Sequence, residues 1–291
     1  MKVGSNGYTY ELVEDFARLP ASEAFGLISR LTTDSQDRLY VFQRKDPAVL
    51  VFDTDGKFLR SWGSGQFKRP HGFRIVDDMV YLTDQTDNVA MVCTLDGKVV
   101  KQLGTRGQAS DTGCEDWHNL PLRAAGPFNH PTELMPGPSG DLYVTDGYRN
   151  SRVHRFTKDG ELVQSWGQPG KNAPGEFHLP HSMVTSPDGT LYVSDRANSR
   201  VQIFTPDGKF IGMWTGMGGP NDMARDKNGI FYLLEQATAT SKPSVSVRDA
   251  NGAVLTRWEM PHAHGMGIDS MGNIYVGRTK ELRVDKYVRV Q

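Results

Sequence analysis

Along the chain, apolar and polar residues alternate in short runs, and each run stops at a turn rich in Asp and Gly. The segment LYVSDRANSRVQIFTPDGKFIGMW (191–214) shows the pattern: an apolar-Tyr-apolar triplet, a polar turn, a second alternating run, an Asp-Gly turn and a third run ending at Trp214. Two-residue alternation closed by tight turns predicts antiparallel strands joined by hairpins. No segment sustains the 3.6-residue period of an amphipathic helix, so little helix is expected.

The same unit recurs. Its anchor tyrosines are Tyr40, Tyr81, Tyr143, Tyr192, Tyr232 and Tyr275, which gives six copies, the clearest being 131–167 and 180–214. Six sheets repeated around an axis are the closed solution for such a pattern, and the fold class read from it is all-β, a six-bladed β-propeller forming a single domain over residues 1–291. The sixth copy, from Ala263 onward, lacks a fourth strand, whereas Tyr8–Phe16 is an isolated strand-like run. The N-terminal strand is therefore expected to close the last blade. Between Thr105 and Phe128 the spacing stretches, with Gly107, Gly113, Pro121 and Pro127, which marks an inserted loop.

Composition narrows the function classes. Lys and Arg number 33 against 34 Asp and Glu, spread evenly, so no basic footprint for a nucleic-acid backbone is present. No apolar stretch approaches the ~18 residues of a membrane span, and the first residues carry no secretory-type apolar core. Cys93 and Cys114 lack the paired spacing of a zinc knuckle and are too few for a disulfide framework, which favours a reducing compartment, the cytoplasm.

Repeated residues serve the architecture. Asp84, Asp146 and Asp195 lie three residues after their tyrosines, and Arg152 and Arg200 close matching Asn-Ser-Arg triplets, so these groups are read as partners in turn hydrogen bonds and blade-to-blade pairing. Chemistry is sought where equivalent positions differ. Eleven residues before the anchor tyrosine, ten in the second copy, stand Ser29, His71, Thr132, His181, Asn221 and His264. Histidine occupies alternate copies at the start of each first strand. Three imidazoles set about a third of a turn apart would converge on the axis and match the open ligand set of a catalytic zinc site. In PHAHG the choice of third ligand stays open: tyrosine spacing selects His264, while the preceding proline selects His262. His118, His130, His154 and His178 fall outside this register and are read as ordinary polar residues.

The second strand returns to the same end, so residues four or five after each tyrosine ring one mouth: Arg44, Gln85, Gly147 with Tyr148, Arg196, Gln236 and Thr279. Two guanidiniums there suit a carboxylate between them. Tyr148, beside two cations, is the candidate base.

On these residues the chain resembles the NHL-repeat propellers, and among them the peptidyl-alpha-hydroxyglycine alpha-amidating lyase (peptidylglycine amidating lyase) family. The matching stretches are RPHG around His71, DGYRNSR around Tyr148, LPHS around His181, SDRANSR around Arg196 and, more weakly, VFQRKD around Arg44. The resemblance implies a zinc, or another divalent transition metal such as iron or manganese, on His71, His181 and His264 or His262. It also implies Tyr148 acting on a substrate hydroxyl, Arg44 and Arg196 near a substrate carboxylate, and cleavage of an N-acyl alpha-hydroxyglycine to an amide and glyoxylate.

Departures from the family pattern narrow the reading. The family's calcium-binding aspartate is replaced by Gly265, or by Ala263 if His262 is the ligand, which argues against a structural calcium. Arg149 and Ile203 stand where the family has its disulfide, which suits a cytoplasmic chain acting on a small carbinolamide acid rather than on secreted peptides. Two alternatives use the same fold: a metal-dependent hydrolase of a small ester, lactone or amide, and a non-catalytic propeller binding a protein partner.

Overall fold

A computed structural model of the chain describes residues 1–290. The chain forms two compact units, His71–Pro220 and, separately, residues 1–70 with the chain from Asn221 onward. The His71–Pro220 unit carries blade 2 (Pro70–Val76, Met79–Asp84, Val89–Thr94, Val99–Leu103), blade 3 (Pro131–Pro136, Leu142–Asp146, Arg152–Phe156, Leu162–Trp166) and blade 4 (Pro180–Thr185, Leu191–Asp195, Arg200–Phe204, Phe210–Trp214). The other unit carries blade 1 (Ile28–Thr33, Leu39–Gln43, Val49–Phe52, Phe58–Trp62), blade 5 (Gly219–Arg225, Phe231–Gln236, Ser244–Arg248, Val254–Glu259) and blade 6. Each blade is an up-and-down antiparallel sheet, and the fold class is the six-bladed β-propeller. The one helical element among the described residues is the 3-10 turn Arg196–Asn198. No helix there is long and apolar enough to cross a membrane.

Blade 6 is built from Ala263–Ile268, Ile274–Arg278, Arg283–Arg289 and the N-terminal strand Tyr8–Val13, with Tyr10 opposite Arg289 and Val13 opposite Lys286. The expected closure by the N-terminus is present, with two differences. The strand stops at Val13, and Phe16 beyond it packs its ring edge-on against Tyr275 at 5.5 Å. A further strand, Lys2–Ser5, pairs with Tyr8–Val13. That run, KVGS, is too short and too polar to show an alternation.

The pattern along each strand explains its place. In blade 1 the second and third strands, LYVFQ and VLVF, are buried on both faces, whereas the fourth, FLRSW, alternates between half-buried and exposed. Apolar cores fill the spaces between neighbouring sheets: Ala90, Val92 and Leu103 of blade 2 meet Leu134, Val144 and Phe156 of blade 3, and Tyr143 and Val153 meet Met183, Val193 and Phe204 of blade 4. The Asp-Gly turns behave as their chemistry requires. The Asp53 carboxylate accepts from the N–H groups of Asp55 and Lys57, and Gly56 takes φ +78°, a left-handed conformation without steric cost only for glycine. Cys93 and Cys114 are free and buried, and burial pushes the Cys93 thiol up to about 12.

Candidate functional site

The six register positions all fall near the start of the first strand of their blades, and five of them donate a hydrogen bond to a backbone carbonyl of another strand. Ser29 Oγ donates to the Pro70 carbonyl at 2.8 Å, His71 Nδ1 to the Thr132 carbonyl at 2.7 Å and Thr132 Oγ1 to the Pro180 carbonyl at 2.8 Å. Asn221 Nδ2 donates to the His264 carbonyl at 2.8 Å, and His264 Nδ1 to the Ser29 carbonyl at 2.9 Å. Each donor stitches its strand to the next blade. A hydroxyl or amide that donates in this way has no nitrogen lone pair to offer an ion, whereas an imidazole that donates through Nδ1 keeps the lone pair of Nε2. The carbonyl thereby fixes the tautomer that a metal ligand needs.

In the His71–Pro220 unit, His71 and His181 are fully buried with ring centroids 4.8 Å apart and planes nearly perpendicular. Tyr148 Oη lies 3.1 Å from Nε2 of His71 and 3.0 Å from Nε2 of His181, so one phenol oxygen bridges both imidazoles. The turn that carries Tyr148 approaches the start of the His181 strand closely. A Cβ on Gly147 would sit 1.9 Å from the Pro180 carbonyl oxygen, so only glycine fits there. Arg196, at the head of the 3-10 turn, donates from Nη1 to Tyr148 Oη at 3.3 Å, and its guanidinium lies 5.9 Å from the ring centres of both Tyr148 and Trp117. No carboxylate among the described residues pairs with Arg196. This half-buried cation is thus held by a phenol and two aromatic faces.

Trp117 escaped the sequence reading because it lies in the inserted 105–128 segment, where no periodicity constrains position. It stacks on His118 at 3.7 Å and meets the Tyr148 ring edge-on at 5.5 Å. The segment is tied to the tyrosine turn: Thr112 Oγ1 donates to the Arg149 carbonyl, and Asn150 Nδ2 donates to the Ala125 carbonyl while its Oδ1 accepts from Ala125 N–H. The loop and the candidate base are therefore positioned together.

In the other unit, His264 is nearly buried and bonded as described, while His262 is exposed and pairs its Nδ1 with Thr279 Oγ1 at 2.9 Å. Arg44 is half-buried, and its Nε donates to Ser29 Oγ at 2.9 Å and to the Pro70 carbonyl at 3.3 Å. Of the remaining mouth positions, Gln85 is buried and Gln236 and Thr279 are half-buried.

Two sequence readings need correction. His154 is not an ordinary polar residue: it is fully buried, with Nδ1 2.7 Å from Ser165 Oγ and Nε2 3.3 Å from Asp146 Oδ2. The blade-to-blade pairing expected of the Asn-Ser-Arg arginines is a pairing within the blade instead: Arg200 Nε donates to Asp195 Oδ2 at 2.7 Å in blade 4, and Arg152 bonds the Ser165 carbonyl in blade 3. Burial pushes the Asp195 carboxyl up to about 6, against the lowering effect of Asn198, the His178 N–H and Arg200.

His71, His181 and His264 form the group of three side chains whose donor chemistry could hold a metal ion. His262 is not in that group. His71 and His264 present the Nδ1-anchored tautomer, and imidazole nitrogens suit a divalent transition metal such as zinc.

Comparison with known proteins agrees with the repeat and with the resemblance. Residues 177–204 match the NHL repeat family. NHL repeat-containing protein 3 of Homo sapiens is 28% identical over 277 residues, covering 86% of this chain and 76% of that protein. Peptidyl-alpha-hydroxyglycine alpha-amidating lyase 1 of Drosophila melanogaster is 32% identical over 126 residues, 43% of this chain and 21% of that protein. Among solved structures, a streptogramin B lyase superposes with a TM-score of 0.65 at 14% identity over 96% of this chain and 98% of that one. A gluconolactonase of Xanthomonas campestris gives 0.67 at 15% identity over 96% and 90%. Those likenesses concern the fold. The chain is a six-bladed β-propeller with one stretch that matches the NHL repeat, and it is similar to proteins named as NHL repeat-containing and as amidating lyases.

Proposed function

We propose that the protein is a metal-dependent carbon–nitrogen lyase that splits an N-acyl alpha-hydroxyglycine, or a related carbinolamide acid, into an amide and glyoxylate. The observation that carries this reading is the Tyr148 oxygen, set between Nε2 of His71 and Nε2 of His181, with Arg196 on it and no carboxylate on that arginine. The imidazoles of His71, His181 and His264 would hold the ion, zinc foremost, which supplies Lewis acidity toward the substrate hydroxyl when bound.

Tyr148 Oη takes the hydroxyl proton. As the hydroxyl carbon becomes the aldehyde carbon of glyoxylate, its bond to nitrogen breaks, and the proton held at Tyr148 Oη passes to the departing nitrogen. The step is redox-neutral and returns Tyr148 to its starting state. Arg196 keeps the phenol oxygen in place and, with Arg44, offers planar donor forks to the substrate carboxylate. Two free cysteines support a reducing compartment, the cytoplasm, and hence a small-molecule substrate.

The test is glyoxylate release from alpha-hydroxyhippurate by zinc-reconstituted protein. Stoichiometric glyoxylate and benzamide are expected. A protein that binds about one zinc per chain yet releases neither would overturn the lyase reading, and hydrolysis of a small ester by the same preparation would replace it with the hydrolase.

A further inference from the structure

Blades 3 and 4 carry the same motif, and the difference between them exposes a charge. In blade 4 the Asp195 carboxylate accepts from His178 N–H, Asn198 Nδ2, Gln202 Nε2 and Arg200 Nε. Arg200 is 5% exposed, and its Nη2 also donates to the carbonyls of Ala173 and Glu176, which close over it. In blade 3 the Asp146 carboxylate is filled by Asn129 N–H, Asn150 Nδ2 and His154 Nε2. His154 stands where blade 4 has Gln202, and the turn before Arg152 is one residue longer than the turn before Arg200. Arg152 is left without a carboxylate partner among the described residues. Its Nη2 bonds one carbonyl, its Nε is buried without a partner, and burial lowers its pKa. A desolvated cation in this state favours an anion.

Arg152 lines an open surface cavity of about 570 Å³ whose lining is more polar than apolar. Its other walls include Leu120, Leu122, Arg123 and Pro169, so a few apolar side chains stand beside two guanidiniums, of which Arg123 already has Asp111 as its partner. We propose that this cavity is a second binding site, separate from the tyrosine and histidines, which takes an amphiphilic carboxylate: the carboxylate on Arg152 and a hydrocarbon body against the Leu120–Leu122 wall.

The experiment is calorimetric titration of the full chain with octanoate and with octanamide. Octanoate is expected to bind at least about tenfold more tightly than octanamide. Arg152→Gln should remove that preference, Arg152→Lys should keep part of it, and Arg123→Gln, on an exposed side chain, should weaken octanoate. Arg196→Gln should leave octanoate affinity unchanged. Equal binding of acid and amide by the unmodified protein overturns the proposal, and that comparison needs no variant to fold. So does an Arg152→Gln protein that keeps the preference, or an Arg196→Gln protein that loses it.

Discussion

Tyr148→Phe tests the centre of the argument because it removes one oxygen and nothing else. The ring's edge contacts with His71 at 5.0 Å, His181 at 5.5 Å and Trp117 at 5.5 Å all survive, so the packing that places the turn is kept. What disappears are contacts at 3.1, 3.0 and 3.3 Å to two buried imidazole nitrogens and one guanidinium nitrogen. Taking the phenol off a buried nitrogen costs about 1–3 kcal/mol when no other partner replaces it. The metal-free variant should therefore lose about 1–3 kcal/mol, a fall in Tm of roughly 2–4 °C per kcal/mol in a chain of this size. A bound metal gives the same nitrogens a different partner, so zinc should raise the Tm of Tyr148→Phe more than that of the unmodified protein.

Loss of the positioned base should reduce kcat by about 10²–10⁴, or about 3–5 kcal/mol of barrier, with zinc content unchanged. Thermal melts with and without zinc, metal analysis and glyoxylate release measure each part. A variant that melts like the unmodified protein in both states would show that the oxygen does not bridge the two imidazoles. Retention of more than a tenth of the activity would remove Tyr148 from the base role.

Three further outcomes are expected. Trp117→Leu removes an aromatic face 5.9 Å from Arg196, worth about 0.5–2 kcal/mol, and should lower kcat/KM by about 2- to 30-fold, while Trp117→Phe keeps most of it; equal losses in both would assign Trp117 to packing alone. Asp222→Asn removes the carboxylate that neutralises fully buried Arg30 at 2.8 Å and should cost about 3–5 kcal/mol in urea unfolding. Asp195, raised to about 6 in the fold, holds a proton there that the unfolded chain has released above about 4, so its contribution to stability is full below pH ~4 and is lost as pH rises toward ~6. The loss is about 2–3 kcal/mol at most, and Asp195→Asn should flatten the stability profile in that window.

The blade count was readable because each blade repeats a tyrosine at fixed distance from its turns, and a period survives even where individual strands are ambiguous. The histidine register was readable for the same reason: His71, His181 and His264 replace hydroxyl and amide donors at one structural position, so the change of residue type stands out against a fixed background. The choice between His262 and His264 could not be made from spacing and proline context, which point different ways. In three dimensions, burial and the Ser29 carbonyl distinguish His264. Trp117 was invisible because an insertion has no repeat to be compared with. Arg152 differs from Arg200 although the motif is identical in two blades, because the occupancy of Asp146 depends on His154, two residues further along the Arg152 strand.

Blade 6 joins residues from opposite ends of the chain, with Glu11 opposite Val288. A ribosome reaches the second of these long after the first, whereas His71–Pro220 is contiguous and can settle while synthesis continues. Pairing across so large a sequence separation is slow and leaves Tyr8–Val13 as an unsatisfied edge during the wait. Newly made chains should accordingly be most vulnerable to aggregation in the interval before Arg283–Arg289 emerges.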